Sequence, residues 1–170
     1  MGIARRTAEQ AMRQAAGQDA GADEVIDRVP ATLRRDATLR EAAEALIQRN
    51  AWGIPVLEDG GDYLGVCSVR SVAERCLPVR PDSLAPGAGL GYLRHDLEEL
   101  RERLSREAGR PVADLLDLGV PAVRQSTSLP QLLLVLGRRA PLVPILADDG
   151  RRLVGVATWE RAMRALWRGA

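Results

Sequence analysis

Leu64-Gly65-Val66-Cys67-Ser68 and Val154-Gly155-Val156-Ala157-Thr158 lie ninety positions apart and agree in chemical type at all five places. At the same offset Glu24-Val25-Ile26-Asp27 is echoed by Asp114-Leu115-Leu116-Asp117, and Thr38-Leu39 by Ser128-Leu129. Ile54-Pro55-Val56-Leu57 returns as Val143-Pro144-Ile145-Leu146, one position early. The chain contains one pattern twice. Repeats too short for a comfortable core of their own usually need each other to bury a face.

Each copy reads in the same order. A short helix-like turn (23–28; 112–118) precedes a short apolar strand, Ala31-Thr32-Leu33 or Ala122-Val123. A helix follows, 39–50 or 129–139. Thr38 or Ser128 caps it, and Glu41 or Gln131 three places on completes a capping box. Two strands come next, Gly53–Leu57 with Tyr63–Cys67, and Leu142–Leu146 with Leu153–Ala157. Asp59-Gly60-Gly61 and Asp148-Asp149-Gly150 turn between them. A last helix opens near Ser68 or Thr158. Its stripe is Val69, Val72, Ala73, Cys76, Leu77 in one copy and Trp159, Ala162, Met163, Leu166, Trp167 in the other, a single helix face in each. The unit is strand–helix–strand–strand–helix. The class is α/β (α+β), with two repeats expected to form one pseudo-two-fold module. The boundaries are 1–21 for an N-terminal helical extension, 22–77 for the first repeat, 78–111 for a loop and linker helix, and 112–170 for the second repeat.

Composition narrows the chemistry. All 24 basic side chains are Arg, so chemistry that needs a Lys amine is excluded: the Walker-type phosphate loop, the pyridoxal Schiff base and the Lys nucleophile. His95 stands alone, and Cys67 and Cys76 match no zinc spacing, so no metal is expected. Both Cys occupy apolar positions of the repeat and read as buried thiols. A net charge of +1 offers no general field for nucleic acid or acidic lipid. No apolar run approaches the ~20 residues of a membrane span. One His, no Lys and carboxylates interleaved with Arg on helices argue against an enzyme. The Arg- and Ala-rich first eighteen residues would suit a transit peptide or an amphipathic helix bearing Ile3, Ala8, Ala11, Met12 and Ala15. The helix reading is preferred, with a cytoplasmic location. Pro78 to Gly91 reads as a loop. A helix over 93–108 carries Leu93, Leu97, Leu100 and Leu104, with Glu99/Arg103 and Glu102/Arg106 pairs.

On the unit order, the Ile54-Pro55-Val56-Leu57 strand with its echo, and the Gly-x-x-Ser/Thr steps at Gly65–Ser68 and Gly155–Thr158, the chain resembles a tandem pair of CBS domains, a Bateman module. The resemblance implies a regulatory module with an adenosine-containing ligand between the repeats: AMP, ADP, ATP or S-adenosylmethionine. Ser68 and Thr158, at helix starts, would meet a phosphate. The backbone at Ile54, Pro55, Val56 and at Val143, Pro144, Ile145 would flank the purine, and Thr32 and Gly65 complete the candidate set. The family's motif ends in an Asp that grips the ribose. Ser71 and Arg161 stand there instead, so neither copy has that carboxylate. Two readings follow: a nucleotide-sensing module that signals to a separate effector protein, or a ligand-free scaffold. The apolar stripe of the last helix and the Leu-rich 129–136 face imply a homodimer. Neither a nucleic acid nor a membrane partner is expected.

Overall fold

The computed structural model describes residues 25–28, 30–77, 97–138 and 140–168, with the Cys76 side chain left aside. The expected N-terminal helix (1–21), the 78–91 loop and His95 lie outside these residues. The elements run β1 (Ile26–Asp27), β2 (Leu33–Arg34), α1 (Leu39–Gln48), β3 (Gly53–Leu57), β4 (Tyr63–Ser68), α2 (Val69–Cys76) and α3 (Leu97–Glu107). A 3₁₀ turn, Val112–Leu115, precedes β5 (Val123–Arg124), α4 (Leu129–Arg138), β6 (Leu142–Leu146), β7 (Leu153–Thr158) and α5 (Trp159–Trp167). The strand–helix–strand–strand–helix order occurs twice, as the sequence implies.

The chain divides into two compact units. One is Ala31–Leu118. The other joins the residues up to Pro30 to those from Gly119 onward. The leading segment of each sequence repeat is therefore built into the unit that holds the other repeat's strands. Sequence repeats and compact units are different divisions of this chain.

In the 31–118 unit the sheet order is β2-β3-β4. The parallel β2–β3 pair is reached through α1, and β3–β4 is an antiparallel hairpin. Gly61 takes φ 85° in its turn, a left-handed conformation that glycine adopts without strain. Ala42, Val56, Cys67 and Val112 form the core cluster, with Leu33, Leu64, Val72 and Leu116 packed on it. The Thr38–Glu41 capping box forms in both directions. The helix it opens ends two residues before the expected 50, because Asn50 turns to φ 47° and stops the 3.6-residue repeat. The linker helix is described from Leu97 to Glu107. Of its two expected ion pairs, Arg103–Glu99 forms at 3.4 Å, whereas Arg106 Nε donates to the Glu102 carbonyl instead of its carboxylate.

In the other unit the order is β1-β7-β6-β5. The expected helix-like turn at 23–28 is corrected here. Ile26 and Asp27 are extended and pair antiparallel with Ala157 and Val156. Ile26 gains burial on the β7 edge, which outweighs the weak local preference for a turn. Gly155 permits the approach. A Cβ there would run into the Asp27 carbonyl oxygen and lie 2.7 Å from Ile26 Cγ2. The core joins Val25 and Ile26 to Leu132, Leu136, Val143, Ile145, Ala157 and Ala162. Each fully buried aliphatic side chain of this kind contributes about 1.5–3 kcal/mol.

The last helices leave most of their apolar stripes unburied. In α2 the side chains of Val69, Ala73 and Leu77 are exposed, and Ser71 is buried instead. In α5 only Ala162 is buried, while Trp159, Met163, Leu166 and Trp167 face outward. Val72 in α2 and Ala165 in α5 pack partly on the two cores.

Candidate functional site

The two helix starts expected to meet a phosphate are built differently. In the 31–118 unit, β4 runs into α2 at Ser68, which is extended (φ −110°, ψ 162°) and fully buried. Its Oγ accepts from Ser71 N–H at 3.1 Å, and its own N–H donates to Ser71 Oγ at 2.9 Å. Ser71 hydroxyl donates to the Ser68 carbonyl at 2.9 Å. Ser68 hydroxyl donates its single proton to Asp117 Oδ2 at 2.6 Å, a short charge-assisted bond. A serine hydroxyl has one proton to give. Both are taken, so neither Ser68 nor Ser71 has a donor left for an anion. The expected phosphate contact at Ser68 is not supported by this arrangement. The half-buried Asp117 carboxylate beside it adds like charge.

Asp117 reaches Ser68 because its own backbone is tied down. Its N–H donates to Val66 C=O at 2.8 Å, and Leu116 packs against Gly65, where an added Cβ would lie 3.0 Å from Leu116 Cδ1. Gly65 is thus half-buried under the chain's own Leu116 side chain.

Cys67 is fully buried next to this cluster. Burial pushes its thiol up, the Ser71 bond works against that, and the Asp117 charge adds to it.

In the other unit, β7 runs into α5 at Thr158, also extended (φ −124°, ψ 153°) but only half-buried. Its Oγ1 accepts from Arg161 N–H at 3.3 Å. Among the described residues its hydroxyl proton goes to no protein acceptor. Position 161 is Arg, so no reciprocal capping box forms. The exposed Arg161 guanidinium lies 3.5 Å from Asp27 Oδ2. Asp27 and Asp117 are ninety apart, so one carboxylate of the repeat serves both helix starts. Opposite a neutral Ser71 it takes the hydroxyl of Ser68. Opposite Arg161 it takes the cation.

The strand residues hold equivalent places. Ile54, Pro55 and Val56 are buried in the central strand of their sheet, paired with Cys67, Val66 and Gly65. On the other side strand pairing begins only at Val56, opposite Leu33. Val143, Pro144 and Ile145 are likewise buried and paired with β7, and β5 joins only at Ile145. The Gly53–Pro55 and Leu142–Pro144 backbones therefore have a sheet edge without a strand partner among the described residues. Thr32 is exposed just before β2.

Asp27 and Asp117 are not among the residues expected from the sequence. Their signal was present: both end the four-residue echo at the ninety offset. Among the described residues no three His, Cys, Asp or Glu converge as metal ligands. No helix there is long and apolar enough to cross a membrane.

The CBS domain family model matches residues 22–77. A chloroplastic CBS domain-containing protein of Arabidopsis thaliana, CBSX2, is 26% identical over 140 residues. That match spans 78% of this chain and 57% of the relative, so this chain spans little more than half of it. Solved structures share the fold. CBSX2 from Arabidopsis thaliana superposes with TM-score 0.64 at 23% identity, covering 87% of this chain and 93% of that one. CBSX2 in complex with AMP gives 0.60 at 23% identity, covering 87% and 95%. A CBS domain protein of Streptococcus pneumoniae gives 0.64 at 14% identity, covering 95% and 96%.

Proposed function

We propose that the chain is a tandem pair of CBS repeats, a regulatory, non-catalytic module that binds an adenine nucleotide and signals to a separate protein; the match of residues 22–77 to the CBS domain model and the likeness to CBSX2 support this reading. The observation that carries this reading is the start of α5. Thr158 presents a hydroxyl proton with no protein acceptor among the described residues, at the positive end of a helix, and the Arg161 cation, 3.5 Å from Asp27, lies in the same turn. Phosphate is the natural guest of such a set. The buried β6 strand, whose edge at Leu142–Pro144 lacks a strand partner among the described residues, offers the flat apolar neighbour that a purine requires. A related protein, CBSX2, has been crystallised with AMP. AMP, ADP, ATP and S-adenosylmethionine share the adenosine. The phosphate-led contact favours the nucleotides among them.

A second reading has its own support. No carboxylate stands at position 71 or 161 to grip a ribose, and the first repeat's helix start is closed by its own side chains. A scaffold without ligand would look like that.

Calorimetry and thermal shift with AMP, ATP and adenosine separate the two. Nucleotide at one hundred times its dissociation constant should stabilise the protein by about 2.7 kcal/mol. Adenosine, lacking phosphate, should bind at least tenfold more weakly. Absence of heat and of any shift with all three would establish the scaffold reading.

A further inference from the structure

We infer that the two repeats are not equivalent binding sites: Asp117 plugs the helix start of the first repeat, so the chain takes one phosphate-bearing ligand rather than two. The inference rests on the proposed nucleotide-binding role and adds its stoichiometry and the residue that sets it.

The repeat supplies both helix starts with the same parts, a Ser or Thr cap and an Asp ninety positions from its counterpart. What differs is the third residue of each helix. In α2 it is Ser71, which turns inward, is buried, and returns the bond from Ser68 N–H. Beside a neutral Ser71, the Asp117 carboxylate takes the Ser68 proton at 2.6 Å. The carboxylate supplies at α2 the negative charge that a phosphate would supply. A phosphate arriving there would find both Ser hydroxyl protons already taken, a fully buried cap and the Asp117 carboxylate. Leu116, next to Asp117, packs against Gly65, three residues before Ser68. In α5 the third residue is Arg161, whose guanidinium lies 3.5 Å from the Asp27 carboxylate. One substitution in the repeat pattern, Ser against Arg, thus routes the same carboxylate to opposite effects.

Titration of the full chain with AMP should give one equivalent per chain. Thr158→Val together with Arg161→Ala should remove that equivalent. Ser68→Ala should leave the affinity within twofold while lowering the melting temperature by on the order of 5 °C, through loss of the charge-assisted bond to Asp117 and of the cap on Ser71 N–H. Two equivalents per chain, or a tenfold loss of affinity in Ser68→Ala, would overturn the inference. If AMP gives no heat, the nucleotide reading fails, and unfolding decides the plug by itself. Ser68→Ala and Asp117→Ala should then be coupled, the double variant losing less stability than the sum of the two single losses, because the bond between them is lost only once. Additive losses would show that the two side chains are not coupled and would end the proposal.

Discussion

At the scale of single residues, most polar side chains that matter here act on the backbone. Glu41 is held below the ordinary carboxylate range by the Thr38 N–H first and by the Thr38 hydroxyl second. A carboxyl whose folded value lies below its unfolded one stabilises the protein above the unfolded value, near 4.5, and loses that contribution as pH falls through the folded one. The stability advantage of the wild type over Glu41→Gln should therefore shrink as pH is lowered from 6 to 3, read from melting temperatures. Equal differences at both ends would show that the carboxylate charge is irrelevant to the cap. Cys67 behaves in the opposite sense. Its thiol is raised by burial, so little thiolate exists near neutrality to attack a reagent. Peptide mass spectrometry after iodoacetamide treatment at pH 8 should find Cys67 unmodified in the native protein and modified in denaturant. Rapid native modification would contradict the burial.

At the scale of elements, the short leading strand is the informative one. β1 has two residues and is held by its seat on β7, not by its own length. That seat depends on Gly155, where a methyl group would strike the backbone of Asp27 as well as Ile26. Backbone cannot move aside as a side chain can. Gly155→Ala should therefore destabilise the fold by about 1–3 kcal/mol and speed amide exchange at Ile26 and Asp27. Gly65→Ala, whose nearest neighbours are the tips of Leu116, should cost less than half as much. Equal losses at the two glycines would mean that the neighbours yield alike.

At the scale of the molecule, the outward side of α5 is the feature still to be accounted for. Trp159, Met163, Leu166 and Trp167 are exposed, Trp167 by 77%, and Leu134 on the adjacent α4 is exposed as well. A cluster of large apolar groups with two tryptophans is uncommon on a surface that stays in water. We propose a homodimer through these helices. Light scattering at high micromolar concentration should return twice the chain mass, and Trp167→Glu should halve it. A wild type that runs as a monomer there would refute this.

The repeat, the order of its elements, the Thr38 capping box and the hairpin turns were legible in the amino-acid sequence alone. They are local patterns, set by side-chain periodicity and by what single backbone positions tolerate. The ninety-residue echo even carried Asp27 and Asp117, though nothing local says what a conserved spacing of carboxylates is for. Only the tertiary structure decided three things. It placed each repeat's leading segment in the compact unit of the other's strands, making a strand of Ile26–Asp27 where local preference reads a turn. It closed Ser68 with Asp117, 49 residues away in sequence. And it left Thr158 half-open, its neighbouring carboxylate drawn to Arg161. Each is a choice between partners distant along the chain, settled by burial and charge at the point of contact, and such choices leave no mark in local sequence.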